Sequence, residues 1–463
     1  MKSELKPIIG IECHVSLNTK TKLFCSCSNS DTDLPNSHCC DVCIGAPGSK
    51  PVVNKKAIDY ALKLCLALNC KIASEVIFSR KIYFYPDLAK DYQITQYEIP
   101  IGSKGYLELP NSKINITRIQ IEEDPAALIH QGSTVLIDYN RSGTPLCEIV
   151  TEPEITSAEE AREFLKTLLT ILQYLKIFDI KNCIVKADAN VSIQGYERVE
   201  VKNINGFKEI EKAINYEIER QQELIKEGKP LLKRETRGWN AEKGITLFQR
   251  SKESEEDYGY ILDPDLVPVD LPKELIEKTK KELPELPKQK AERYIKQYKI
   301  KKEDAEVLAS DYELTELLEN SISNKIDALF AAEWIRREVS RVLNYNKKEL
   351  NETFIQKNLI EVMKLIQDNK ITRRTGQKIM ELLVEKDINL KEYIKKEGLE
   401  SVTNANEIEE ICKKVLKQNQ KAIDEYKNGN EKSFMFLVGQ CMRELKGKAD
   451  PKILNEILKK LLK

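Results

Sequence analysis

The chain has 463 residues, 41% of them hydrophobic and 32% charged, with 74 Lys+Arg balancing 74 Asp+Glu. At roughly 100–200 residues per domain this length suits two to four domains, and zero net charge excludes a protein that coats nucleic acid by bulk electrostatics. No apolar run approaches the ~18 residues of a membrane span and Met1 to Pro7 carries no signal-peptide core, so a cytoplasmic protein without a membrane partner is expected.

Taken in chain order, Pro7 to Leu17 alternates as a strand does. Gly10, Glu12, His14 and Ser16 share one face, while Ile11, Cys13, Val15 and Leu17 share the other, expected to face the core. A carboxylate beside an imidazole suits a divalent cation or proton transfer, and equally a solvated surface pair. Next come Cys25-x-Cys27 and Cys40-x-x-Cys43. Four thiolates close a tetrahedral Zn²⁺ shell with no open position, which makes a structural site that helps order an apolar-poor loop. His38 or Cys39 can replace one ligand in this reading, and free thiols are the alternative.

Asn54 to Asn69 has helical spacing. Phe78-Ser-Arg-Lys-Ile-Tyr-Phe-Tyr-Pro-Asp87 and Tyr92 to Tyr97 then mix cations with aromatics, so Arg80 and Lys81 suit phosphates and the rings suit stacking or a core. Asn115 to Glu122 reads as a strand ending in Glu122-Glu-Asp124, and Thr134 to Tyr139 as another. Asn140 to Glu148 adds Arg141 and a further acid. Ser157-Ala-Glu-Glu160 is a capping box, opening a helix with Leu165, Leu168, Leu169, Leu172 and Leu175 as its buried stripe. Strands follow at Ile184 to Ile193, with Asp188 and Asn190 on one face, and at Arg198 to Ile204. A helix from Phe207 to Glu227 ends at Gly228. Acids on several polar strand faces suit Mg²⁺ beside phosphates.

Pro272 to Lys290, with prolines at 272, 284 and 287, is the expected boundary. Beyond it Lys, Glu, Leu, Ile and Asn dominate with helical periodicity. The fold class is therefore α+β: a mixed or antiparallel sheet domain at 1–290, a helical domain at 291–400 and a small, basic helical tail at 401–463. The chain has no P-loop, no H-E-x-x-H and no G-x-S-x-G, so neither a Walker-type nucleotide site nor a covalent hydrolase is expected.

Together these stretches resemble the B-subunit family of the glutamyl/aspartyl-tRNA amidotransferases. The matching segments are Ile9-Gly-Ile-Glu-Cys-His-Val15, Ala46-Pro-Gly48 with Pro51-Val-Val-Asn-Lys55, Tyr83-Phe-Tyr-Pro-Asp87 with Tyr92-Gln-Ile-Thr-Gln96, and Glu122-Glu-Asp124. Asn140-Arg-Ser-Gly-Thr-Pro145, Glu148-Ile-Val150, Asp188-Ala-Asn190, Lys202-Asn-Ile-Asn205 and Asp263-Pro-Asp-Leu-Val-Pro268 continue the match, and Phe436-Leu-Val-Gly-Gln440 and Lys446-Gly-Lys-Ala-Asp-Pro451 extend it to the tail. The resemblance implies a cradle-shaped catalytic domain that uses ATP and Mg²⁺ to phosphorylate the misacyl carboxylate of Glu-tRNA(Gln) or Asp-tRNA(Asn). Ammonia from an amidase-type glutaminase, the A subunit, then gives the amide, and the pair is braced by a small C subunit. By motif match Glu12, His14, Glu123 and Glu148 fall at the family's metal site and Lys81 where it handles phosphate. Arg80, Arg141, Asp188 and Asn190 are the expected nucleotide and substrate contacts, and Lys413, Lys414, Lys417, Lys446 and Lys448 the expected tRNA contacts.

The chain departs from the family pattern at Gln120, where His is common, at Ala127, where Lys is common, and at Gly259, where Arg is common. Lys186 stands at an Arg position after a shortened loop. A non-catalytic or divergent tRNA-binding homologue is the alternative reading. The related E-type subunit has an inserted domain that Pro268, running directly into the helical region, leaves no room for.

Overall fold

The computed structural model describes residues 5–179, 185–204, 206–251, 258–400, 405–445, 449 and 451–462. Met1, Ile184, Asn205, Lys446, Gly447, Lys448 and Asp450, named above, lie outside the described residues. The chain forms two compact units, Met1–Leu286 and Pro287–Lys463. The break falls at the last of the three prolines in the boundary stretch.

The strands of the first unit are β1 (Pro7–Ser16), β2 (Lys71–Ile72), β3 (Glu75–Val76), β4 (Ser79–Ile82), β5 (Tyr92–Thr95), β6 (Gly102–Glu108), β7 (Lys113–Glu123) and β8 (Ala127–Gln131). They continue as β9 (Thr134–Asp138), β10 (Pro145–Thr151), β11 (Val185–Ile193), β12 (Val199–Ile204), β13 (Glu235–Asn240), β14 (Ile245–Ser251), β15 (Gly259–Leu262) and β16 (Val269–Asp270). Among the described residues a nine-stranded sheet has the order β14-β13-β12-β11-β1-β10-β7-β6-β2. It is mixed: β12 and β13 run parallel and the other pairs antiparallel. A smaller sheet, β15-β4-β5, carries Arg80 and Lys81.

The strand alternation sorts the large sheet into two faces. Ile9, Ile11, Cys13 and Val15 of β1 are buried with Ile119 and Ile121 of β7, Cys147 and Ile149 of β10, and Ala187, Ala189 and Val191 of β11. Helices α1 (Asp41–Ile44), α2 (Lys55–Ala67), α3 (Ala158–Tyr174) and α4 (Phe207–Lys226) follow in the chain. The apolar stripes of α2, α3 and α4 complete one core with that face. The opposite face keeps the polar residues of the same strands, as period two requires.

The Ser157 cap forms, its hydroxyl accepting from Glu160 N at 3.1 Å. Its return arm differs from the expected box: the Glu160 carboxylate accepts from the backbone of Thr156, one residue before the cap, at 2.8 Å. Gly228, at φ +73, follows α4 as the left-handed stop its lack of Cβ allows. The second unit is helical throughout its described length and holds two separate cores, one built from Ala291 to Ile394 and one from Ile408 to Leu462. No described helix is long and apolar enough to cross a membrane.

Candidate metal centres on the mixed sheet

Register brings the first site together. His14 of β1 stands opposite Glu148 of β10 and Lys186 of β11, while Glu12 stands opposite Asp188. Glu148 in turn faces Gln120 of β7. Each of these side chains lies on the polar face, so four neighbouring strands present acids and cations in cross-strand rows. The donor atoms of Glu12, His14 and Glu148 lie within 4.8 Å of one another.

Glu122 joins them, its carboxylate 3.4 Å from His14 Nε2. Thr95 Oγ1 donates to Glu122 at 3.2 Å, and Gln120 Nε2 donates to Glu148 at 2.5 Å and to Thr95 Oγ1 at 3.3 Å. Arg118 Nε orients the Gln120 amide at 3.2 Å, with its Nη2 4.0 Å from Glu148. Burial pushes the Glu148 carboxyl well above its ordinary value, and the carboxylates of Glu122 and Glu12 push it further. Arg118 offsets part of this. Buried carboxylates so crowded fit a divalent cation that replaces mutual repulsion with shared attraction. The set of carboxylate oxygens and one imidazole suits Mg²⁺ or Mn²⁺.

Glu123 does not join this group. It is the next residue after Glu122, and the strand alternation sends it to the other face, where it accepts from Ile94 N at 2.9 Å and pairs with the Lys90 ammonium. Glu122, not singled out individually from the sequence, takes the expected place. Arg118-x-Gln120-x-Glu122 carried that signal, because the spacing of two puts these three on one face.

Asp188 is bound by Lys202 Nζ at 2.9 Å, which also lies 3.5 Å from Glu200. These carboxylates and that of Glu12 favour the charged form of the half-buried Lys202 ammonium. Asn190 lies opposite Gly10, one strand from the cluster. The expected phosphate-binding arginines are otherwise engaged. Arg80 forks onto Asp263 and Asp265, both at 2.8 Å, and lies 4.4 Å from the Tyr92 ring centroid. Arg141 donates to the carbonyls of Pro125 at 3.0 Å and Ala126 at 2.7 Å, and sits 3.4 Å from Asp124. Arg80 thus braces the segment after β15, and Arg141 the segment after β7. Lys81 stands over the rings of Tyr258 and Tyr83, at 4.7 and 5.7 Å.

Arg80→Ala is expected to destabilise the first unit by about 3–5 kcal/mol, because it leaves the fully buried Asp263 carboxylate without its countercharge. Arg80→Lys recovers little, since one ammonium does not span both aspartates. Denaturant unfolding of the two variants measures this, and wild-type stability in Arg80→Ala would contradict it.

The second site is the cysteine loop. The Sγ atoms of Cys25, Cys27, Cys40 and Cys43 converge within 4.8 Å, with Cys25 at 3.6 Å and Cys40 at 3.9 Å from Cys43. Cys40 opens α1, whose single turn brings Cys43 back beside it. Cys39 points away, to the Asn36 carbonyl at 3.1 Å, and His38 Nδ1 lies 3.1 Å from the Ser30 carbonyl. Neither belongs to the convergent group of donor atoms. The Cys43 thiol is pulled down to about 4 by the hydrogen bond from Cys25, then by the Cys40 backbone N–H and by Lys22. The donor set of four thiols, enough for a tetrahedral shell, could hold a structural metal such as zinc.

Comparison with known proteins assigns both parts of the chain, the sheet domain that carries these two clusters and the helical part after it, to one family. The description "GatB/GatE catalytic domain" matches residues 7–277, and "GatB domain" matches residues 316–462. The chain belongs to this family. It is 41% identical to the B subunit of the aspartyl/glutamyl-tRNA(Asn/Gln) amidotransferase of Caldanaerobacter subterraneus subsp. tengcongensis, over 98% of each chain. It is 42% identical to the protein of the same description from Thermotoga maritima, over 99% of each, and to that from Thermodesulfovibrio yellowstonii, over 99% of this chain and all of the other.

Proposed function

We propose that the chain is the B subunit of a glutamine-dependent aspartyl/glutamyl-tRNA amidotransferase. In this reading it uses ATP to phosphorylate the side-chain carboxylate of Glu-tRNA(Gln) or Asp-tRNA(Asn), and ammonia then displaces the phosphate to give the amide. The observation that carries the reading is the convergence of Glu12, His14, Glu122 and Glu148 on the polar face of a sheet matched as a catalytic domain. A carboxylate is a poor acyl donor because its leaving group would be oxide. Transfer of the γ-phosphoryl group creates an acyl phosphate and ADP, and the nitrogen's attack then expels phosphate.

Such a transfer needs charge stabilisation and positioning rather than a protein nucleophile, in keeping with a chain that carries no nucleophile motif. Glu12, Glu148 and Glu122, with His14, would hold the cation, and Mg²⁺ bound there would offset charge on the transferring phosphoryl group. Arg118 and Gln120 keep Glu148 aimed at that position. Lys202 balances Asp188 and Glu200 at the neighbouring strands. Ammonia comes in this account from a glutaminase, the A subunit; the complex is completed by a small C subunit, and the cysteine loop carries zinc. The three-part organisation of cradle, helical domain at 291–400 and tRNA-binding tail at 401–463 belongs to the same proposal.

Purified protein combined with its A and C partners, misacylated tRNA, ATP and glutamine should form aminoacyl amide. Failure of the complex to do so with either Glu-tRNA(Gln) or Asp-tRNA(Asn) overturns the reading in favour of a tRNA-binding homologue without catalysis. In the tail, Lys413 lies 2.6 Å from Glu409 and Lys414 3.6 Å from Glu444, so both are partly neutralised at home. Reversing Lys417 to Glu is therefore expected to weaken tRNA binding more than reversing Lys413, and to reduce the salt slope of binding by about one unit. Binding isotherms at several salt concentrations read this, and equal slopes in the two variants would reassign the tail to a solvated face.

A further inference from the structure

Lys22 is the most deeply buried cation among the described residues, with none of its surface exposed. Its Nζ donates to Cys43 Sγ at 3.3 Å and to the carbonyl of Tyr139 at 3.2 Å. No motif in the sequence singles it out, and the acid cluster of the sheet does not use it. A buried ammonium whose two contacts are a sulfur and a carbonyl is compensated only when that sulfur is an anion. The same ammonium beside a metal-bound thiolate is well placed. Zn²⁺ with four thiolates carries a net charge of minus two, and a lysine at hydrogen-bond distance reduces it to minus one.

The surroundings hold Lys22 in place. Its own backbone N–H donates to the carbonyl of Cys27 at 3.1 Å, and Leu23 N donates to the carbonyl of Gly143 at 2.8 Å. Ser142 Oγ donates to the carbonyl of Cys43 at 3.0 Å, from the segment that also supplies the Tyr139 acceptor. Gly143, at φ +86, passes close over the lysine stem: an ideal Cβ there would lie 3.6 Å from Lys22 Cδ. The segment Tyr139 to Thr144 leads directly into β10, the strand of Glu148. Lys22 therefore bridges the thiol knuckle and the loop that feeds the acid cluster.

We infer that Lys22 is the charge partner of a metal-bound Cys43 thiolate, a positioning residue that lowers the net charge of the four-cysteine site and ties it to the Tyr139 loop. This rests on the reading of the four thiols as a zinc site. Removing the charge leaves all four ligands in place but raises the electron density on Cys43. The outcome is a weaker hold on zinc and a more nucleophilic thiolate, the pattern expected when a partner outside the ligand shell is lost.

The test compares wild type with Lys22→Met and Lys22→Gln in the full chain. Met keeps the stem and removes every donor, whereas Gln keeps a donor for the Tyr139 carbonyl without the charge. Zinc content as isolated, the rate of zinc loss to a chromogenic chelator and the sulfur-to-metal charge-transfer band of the cobalt(II)-loaded protein are the readouts. Wild type should carry about one zinc per chain. Both variants should bind it about 10- to 100-fold more weakly and shift the cobalt band to longer wavelength. That band shift is one a purely structural lysine would not cause. If wild type holds zinc and a folded Lys22→Gln protein matches it in zinc loss and cobalt spectrum, the role of Lys22 is overturned while the metal site stands. If wild type is folded and carries no zinc, the metal site and this inference fall together.

Discussion

Glu148→Gln is expected to lower ATP cleavage that depends on Glu-tRNA(Gln) or Asp-tRNA(Asn) by roughly a thousandfold or more, equivalent to about 4 kcal/mol of transition-state stabilisation. The substitution keeps the volume and an acceptor for Gln120 but removes one of the charges offered to a cation. It should also leave the fold as stable as wild type, or more so. Glu148 is crowded by Glu122 and Glu12 and buried, so in the metal-free protein its charge is a burden. A residue that merely buttressed the sheet would behave in the opposite way, losing stability and activity together. In the proposed complex glutaminase activity should persist, because the proposal places its nucleophile on the A subunit. A melting curve beside a single-turnover assay separates the two accounts: wild-type turnover in folded Glu148→Gln protein eliminates the proposed role.

The second large effect concerns the cysteine loop. Stripping zinc with a strong chelator, or replacing Cys40 by Ser, should unfold the segment from Lys22 to Cys43 and lower the melting temperature of the first unit. Apparent binding energies of structural zinc reach about 10–16 kcal/mol in small domains, so a zinc-holding loop with little apolar content would depend on it heavily. The consequence should spread to the Tyr139 to Thr144 segment, because Leu23, Lys22 and Ser142 carry bonds between the two. Cys39→Ser is the internal control. Cys39 Sγ points to Asn36 O, so that variant should retain full zinc. Zinc retained at wild-type affinity in Cys40→Ser, with zinc lost in Cys39→Ser, would reverse the ligand assignment.

How far the site is legible in the sequence depends on the periodicity of each element. β1 is plain, because Ile9, Ile11, Cys13 and Val15 alternate with Gly10, Glu12 and His14, and Glu12 and His14 come out on the polar face as expected. The cysteine quartet is equally plain, since spacing alone brings the thiols together and the structure prefers Cys40 over its neighbour through a single turn of α1. The Glu122-Glu-Asp124 run is ambiguous for a physical reason. Three consecutive acids carry no alternation of their own, and the face each takes is fixed by the register of β7 against β10, a long-range property. The roles of Arg80 and Arg141 are illegible for a related reason. Their partners, Asp263 with Asp265 and the carbonyls of Pro125 and Ala126, are distant in sequence or lie in the backbone. A motif shows that a guanidinium is present, and only the fold shows whether a carboxylate already occupies it. Lys22 gives no signal of its own because a lone lysine in a sequence ordinarily reads as solvated, and Lys202 shows only as the first residue of a matching segment.

The short strands are equally hidden. β2, β3 and β16 have two residues each, too few to alternate. β8 has five residues, and its identity as a strand rests on its pairing with β9 in a hairpin. In the helical unit the opposite holds: helical periodicity is local and survives without knowledge of partners, so its class is clear from composition and spacing.

The departures at Gln120, Ala127 and Gly259 find different places. Gln120 is inside the cluster, bridging Thr95 and Glu148 where its amide donates to both. Ala127 opens β8, and Gly259 stands opposite Ile82 at the edge of the smaller sheet. The acid cluster is therefore built around the first and independent of the other two.

The central claim is that the polar face of β1, β7 and β10 holds one divalent cation through Glu12, His14, Glu122 and Glu148. Manganese binding followed by paramagnetic resonance tests it most directly, with Glu122→Gln and Glu123→Gln compared side by side. The account predicts that wild type and Glu123→Gln each take up one Mn²⁺ that Mg²⁺ displaces, although Glu123→Gln weakens the pairing with Lys90. Glu122→Gln should bind at least about tenfold more weakly. Full binding in Glu122→Gln together with loss in Glu123→Gln would contradict the assignment and place the cation on the other face of the sheet.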